Sequence, residues 1–179
     1  MLAAFVVDKL TGTNLGTVHS GVEDNFVCFC STDDDIRPAD VGSYPVPVPQ
    51  VGATGWSYEN ALRLRCISAP NNNVSGIKIY GPLTQPGSGL TVYMGLTSST
   101  AYTPQNTGIV RATTIQHANY YDNLSNYLTW NISGSATNKI LGVGAVTDIL
   151  WTQLRVDPEA SGNTGTMNLF TLTLEYDES

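Results

Sequence analysis

Residues 59–67 read Glu59-Asn60-Ala61-Leu62-Arg63-Leu64-Arg65-Cys66-Ile67. Leu62, Leu64 and Cys66 fall on one side of an extended chain, and Ala61, Arg63 and Arg65 on the other. A period of two is the mark of a strand with one buried face. The same period continues downstream. Val74, Gly76, Lys78 and Tyr80 alternate with Ser75, Ile77 and Ile79. Leu90 to Leu96 forms a further strand, set off by Pro86-Gly87-Ser88-Gly89. Strands are also expected over Tyr127–Ile132, Ile140–Val146, Ile149–Val156 and Met167–Tyr176. The last two are expected to pair as a hairpin through the turn-rich Asp157–Gly165.

No stretch of ten or more residues holds a convincing helical period. Asn119–Trp130, with Tyr120, Leu124, Tyr127 and Leu128, comes nearest and is read as a short helix or turn. The fold class is therefore all-β, an antiparallel β-sandwich of jelly-roll or immunoglobulin-like type. Upstream of Gly55 the pattern is irregular. A short strand is expected over Ala3–Val7, followed by turn residues from Thr11 to Gly16. Asn25–Ser31 reads as a strand buried on both faces. Pro45, Pro47 and Pro49 alternate with valines, so this piece is extended and excluded from a central strand. The division expected is an N-terminal strand and arm region over residues 1–54, with its Pro-rich extended segment, and a β-sandwich core over residues 55–179.

Composition supports an assembly component. Charged residues are 13% of the chain, about half the usual ~25%. Thr, Ser, Asn and Gly take their place, which suits strands and turns and leaves a surface weakly protected against association. Net charge is −7, from 8 basic and 15 acidic residues. Phosphate binding and anionic membranes both need clustered cations, so neither nucleic acid nor membrane is an expected partner. No apolar run approaches the ~20 residues of a membrane helix. The opening residues, Met1 to Asp8, lack the basic region and long apolar run of a signal peptide.

No motif for catalysis is present: no nucleophile elbow, zinc-protease motif, phosphate loop or dinucleotide fingerprint. His19 and His117 have no nucleophile placed beside them in sequence. No cofactor and no catalytic residue are expected. Cys28, Cys30 and Cys66 read as reduced thiols, since none sits in a metal-ligand spacing with either histidine. Asp33-Asp34-Asp35, with Asp40 nearby, offers oxygens for Ca²⁺ but lacks the spacing and glycine of a calcium loop. It reads as a solvated turn, and Asp157 and Glu159 are equally weak candidates.

The aromatic residues carry more information. Tyr102, Tyr120, Tyr121 and Tyr127 lie among Asn119, Asp122, Asn123 and Asn126. Tyrosine among small polar residues is the make-up of an adaptable contact surface. Pro45, Pro47, Pro49, Tyr102, Tyr120 and Tyr121 are therefore the candidate protein-contact residues. Trp56, Trp130 and Trp151 are expected in the core.

The segments Gly55–Cys66 and Val74–Tyr80 resemble strands of tailed-bacteriophage virion structural proteins. Phe170-Thr171-Leu172-Thr173-Leu174-Glu175-Tyr176-Asp177-Glu178 is similar to the C-terminal strand of the same group. In general make-up, small, acidic and rich in Thr, Asn and Gly, the chain resembles capsid decoration (cement) proteins. That resemblance implies a non-enzymatic protein made in the host cytoplasm and placed on the capsid exterior. It would bridge copies of a major capsid protein and touch neighbouring copies of itself, often as trimers. Two other readings stand beside it: a tail, neck or fibre component recognising the host surface, and a carbohydrate-binding β-sandwich module.

Overall fold

The computed structural model describes residues 3–22, 27–36, 39–68, 73–81, 87–98, 100–107, 118–119, 127–135, 137–158 and 171–178. These residues are mostly antiparallel strand with almost no helix. The strands are β1 (Ala4–Thr11), β2 (Thr17–His19), β3 (Gly55–Trp56), β4 (Asn60–Ser68) and β5 (Val74–Tyr80). They continue as β6 (Leu90–Thr97), β7 (Ala118–Asn119), β8 (Leu128–Thr129), β9 (Ile149–Val156) and β10 (Thr173–Glu178). The larger sheet runs β2-β1-β4-β9-β6-β7, with β3 added beside β9, and the smaller runs β10-β5-β8.

Alternation on β4 produces the partition read from its sequence. Leu62, Leu64 and Cys66 are buried in the main core, while Ala61 joins a second cluster on the opposite face. The main core draws on both sheets: β4, β6 and β9 supply Leu62, Val92, Met94 and Leu154, and β5 supplies Val74, Ile77 and Ile79. Trp130 and Ile140 are sealed within it. Strand β9 lies between β4 and β6 and is buried on both faces. Its second face, Ile149 and Trp151, packs with Leu10, Leu15 and Ala61. Leu15 holds φ 52°, a left-handed conformation costly for a bulky side chain, in the tight turn between β1 and β2. Its burial in the second cluster offsets that cost.

Four expectations are corrected. Residues 149–156 and the last strand do not form a hairpin: β9 pairs with β4, β6 and β3, and β10 pairs with β5 in the other sheet. Turn-forming residues reverse the chain but do not choose its next partner. The described part of Asn25–Ser31 is not a strand. It lies along the β3–β4 connection, where Tyr58 N–H donates to the Cys30 carbonyl at 2.9 Å and Asn60 Nδ2 to the Cys28 carbonyl at 3.3 Å. Ile140–Val146 makes only single bridges, Val74 with Ile140 and Arg65 with Val146. Gly144, at φ 88°, interrupts the ladder there. Last, β1 runs on to Thr11, longer than the strand expected over Ala3–Val7, and is an inner strand of the larger sheet. The helix or turn read over Asn119–Trp130 falls largely outside the described residues, whose two ends there are β7 and β8.

The ends of the chain clasp the two sheets together. Ala3 N–H donates to both Glu178 carboxylate oxygens at 3.1 and 3.2 Å, and Phe5 meets Tyr176 edge to face at 5.4 Å. No helix of the described residues is long and apolar enough to cross a membrane.

Candidate interaction surface

The proline-rich piece is a ridge fixed to the sheet by one side. Val46 packs against the main core, and Tyr44 carbonyl accepts Ser31 N–H at 3.0 Å. Pro45 and Pro47 face solvent and Pro49 is half-buried. The ridge crosses β3 so closely that a Cβ on Gly55 would lie 2.7 Å from the Pro47 carbonyl. Only glycine fits there. Beyond Pro49 the chain turns, with Ala53 N–H donating to the Gln50 carbonyl at 3.0 Å and Gly52 at φ 87°. That turn lifts Val51 to its apex, 97% exposed. Tyr44 and Val48 are exposed on the same ridge. Proline's fixed φ keeps the piece extended without a ladder, so its apolar side chains stay outward at little entropic cost.

A second apolar patch lies at the far end of β4. Gly144 N–H donates to the Cys66 carbonyl, and Cys66 N–H to the Ala145 carbonyl, both at 2.9 Å. This pairing carries Leu141 and Val143 to the end of the strand where Ile67 stands exposed. Leu141 is 68% and Val143 67% exposed. Neither is legible as surface in the sequence, because residues 140–146 read there as a strand. The signal was there in Gly142 and Gly144, which alternate with them and break a strand.

The other candidate residues are placed as follows. Tyr102 is half-buried and meets Trp151 edge to face at 6.4 Å, so its ring closes the second core cluster. Tyr120 and Tyr121 lie outside the described residues, as does His117. Tyr127 is exposed on the outer side of the small sheet, with Lys78 Nζ 5.2 Å from its ring centre. Trp130 and Trp151 are core, whereas Trp56 is half-buried against Tyr93 at 5.7 Å.

Ionisable groups are absorbed locally. Burial raises the Asp8 carboxyl, but hydrogen bonds from Arg65 and Gly21 N–H, with the charges of Arg65 and Arg63, outweigh it and hold the group below its ordinary value. Arg65 Nε lies 2.9 Å from Asp8. Asp33 accepts Gly12 N–H at 2.8 Å, and burial pushes its carboxyl up. Its neighbour Asp34 is 4.0 Å from His19, whose Nε2 meets Thr11 Oγ1 at 2.9 Å. The aspartate run is thus tied to the β1–β2 turn, and no group of His, Cys, Asp or Glu among the described residues is arranged to hold a metal ion. The three cysteines are unbonded to one another. An open polar depression is lined by Asn131, Asn138, Ser135 and Asp148, and burial raises the Asp148 carboxyl. No protein-family model matches the chain, and neither a curated protein nor a solved structure matches it.

Proposed function

We propose that this chain is a non-enzymatic virion structural protein, a decoration protein that cements neighbouring major capsid proteins from the capsid exterior. One observation carries the reading: two exposed apolar patches stand at opposite ends of the β3–β4 run. From Gly55 to Ile67 an extended chain covers roughly 35–40 Å. A protein with a separate sticky patch at each end of its sheet is suited to touching two neighbours at once. Each patch need bury only a modest area, because many copies on a lattice act together. The ridge at residues 44–51 takes the part of the contact arm. Two sheets closing on one shared core support a β-sandwich of the jelly-roll or immunoglobulin-like type.

A tail or fibre location would use the same two patches on different neighbours. The carbohydrate reading asks for a coplanar pair of exposed rings flanked by Asn and Asp. Among the described residues the exposed rings, Tyr44 and Tyr127, sit on different elements.

The doubly substituted Leu141→Asp/Val143→Asp chain tests the proposal. Both side chains are exposed, so stability should change by no more than about 0.5 kcal/mol. Retention on the particle, read by co-sedimentation of tagged chain with virions, should fall at least about tenfold, as loss of a central contact worth 1.4 kcal/mol or more implies. Undiminished retention of this variant and of Val51→Asp would refute the two-patch account.

A further inference from the structure

The sheets end on four edges among the described residues, and three are short: β2 has three residues, β7 two and β8 two. The fourth, β10, has six residues and, among the described residues, pairs with β5 alone, so that its other edge turns a row of backbone N–H and C=O groups outward. Its side chains differ sharply between faces. Leu174 and Tyr176 turn toward the main core but stay half-buried, whereas Ile77 and Ile79 on β5 beside them are sealed. A strand laid along β10 would cover what β5 does not. The opposite face carries Thr173, Glu175 and Asp177.

Charge selects the occupant. Arg63 and Arg65 face Asp8, Lys78 lies 3.6 Å from Glu175, and Arg155 lies 2.8 Å from Asp157. Lys9 is buried and donates to the Asp34 carbonyl. Five of the six described cations are so engaged, the sixth, Lys139, being exposed, and with a net charge of −7 the chain is acidic. A second copy pairing β10 to β10 about Tyr176 would set Glu175 against Asp177, and like charges directly opposite are destabilising. An acidic edge with a bulge between Glu175 and Asp177 is guarded against itself. A basic strand meets no such guard.

We propose that the outer edge of β10 seats an extended strand of a different protein, one alternating Lys or Arg with apolar residues. Its backbone continues the ladder, its apolar side chains cover Leu174 and Tyr176, and its cations face Glu175 and Asp177. This goes beyond the cement reading and stands or falls apart from it, since the pairing needs no capsid.

The test is amide hydrogen exchange of the intact chain with a synthetic peptide of alternating Lys and Val. The outward-facing amides among residues 173–178 should slow about tenfold or more as the ladder forms. The Glu-for-Lys peptide should leave them unchanged, and so should the lysine peptide N-methylated at every backbone nitrogen. Asp177→Lys should weaken the lysine peptide and admit the glutamate one. Equal protection by the methylated peptide would overturn the proposal, because charge alone would then suffice. Absence of protection would also overturn it. So would protection that rises with protein concentration alone, which would identify a second copy as the occupant.

Discussion

Trp151→Ala is expected to lower the free energy of unfolding by about 3–5 kcal/mol. Trp151 is fully buried at the middle of β9, with Leu10, Leu15, Ala61 and Ile149 around it and Tyr102 closing the cluster. The cluster joins the β1–β2 turn to the central strand, so the loss is both transfer and cavity. The neighbours cannot collapse into the space, because Leu15 is already in a left-handed conformation that its burial sustains. Urea denaturation followed by tyrosine and residual tryptophan fluorescence measures the change. Trp56→Ala is the control: half-buried against Tyr93, it should cost clearly less. Equal costs would mean that the second cluster does not hold the sheet.

Asp8→Asn is expected to cost about 2–4 kcal/mol, the range for breaking a buried ion pair from one side, reduced because the arginines reach solvent. Asp8 is fully buried, while Arg63 and Arg65 keep about a quarter of their side-chain surface in water. The pH dependence follows the directions of the shifts. Asp8 titrates below its unfolded value of 3.8 in the folded chain. Its stabilisation is therefore complete above that value and is lost as pH falls through the lower, folded one. Asp33 and Asp148 run the other way, raised by burial. Their ionisation opposes folding at neutral pH, and protonation on acidification down to the unfolded value relieves it. Stability should hold or rise slightly on mild acidification, then fall below about pH 4 as Asp8 is protonated. In Asp8→Asn the steep acid limb should flatten. An unchanged acid limb in that variant would assign acid unfolding to other carboxylates.

How much of this was legible in the sequence divides along physical lines. Strands β4, β5, β6 and β9 were readable because one or both faces are buried, and burial imposes a pattern on side chains. Residues 149–156 were located to the residue. Strand partners were not readable. The turn after Val156 looks like a hairpin loop, yet β10 crosses to the other sheet, where Lys78 and Glu175 pair. Apolar runs without a strong alternation misled in both directions. Val27 to Cys30 lie along the β3–β4 connection without forming a strand, and Leu141 and Val143 are surface. The proline ridge was legible as extended, since proline fixes φ whatever the context. Its attachment to Gly55 was not, because a 2.7 Å approach between distant residues leaves only a lone glycine in the sequence. Tyr102, in a polar stretch, reads from composition as contact surface, and its packing on Trp151 across the fold has no signal in the sequence.

The most direct test of the proposed cementing role is cryo-electron microscopy of the virion that would carry this chain. The account predicts density on the outer capsid lattice between capsomers, with residues 44–51 against one neighbour and Leu141 and Val143 against another. Density confined to tail or fibres, or a capsid-bound chain whose two apolar patches both face solvent, would contradict it.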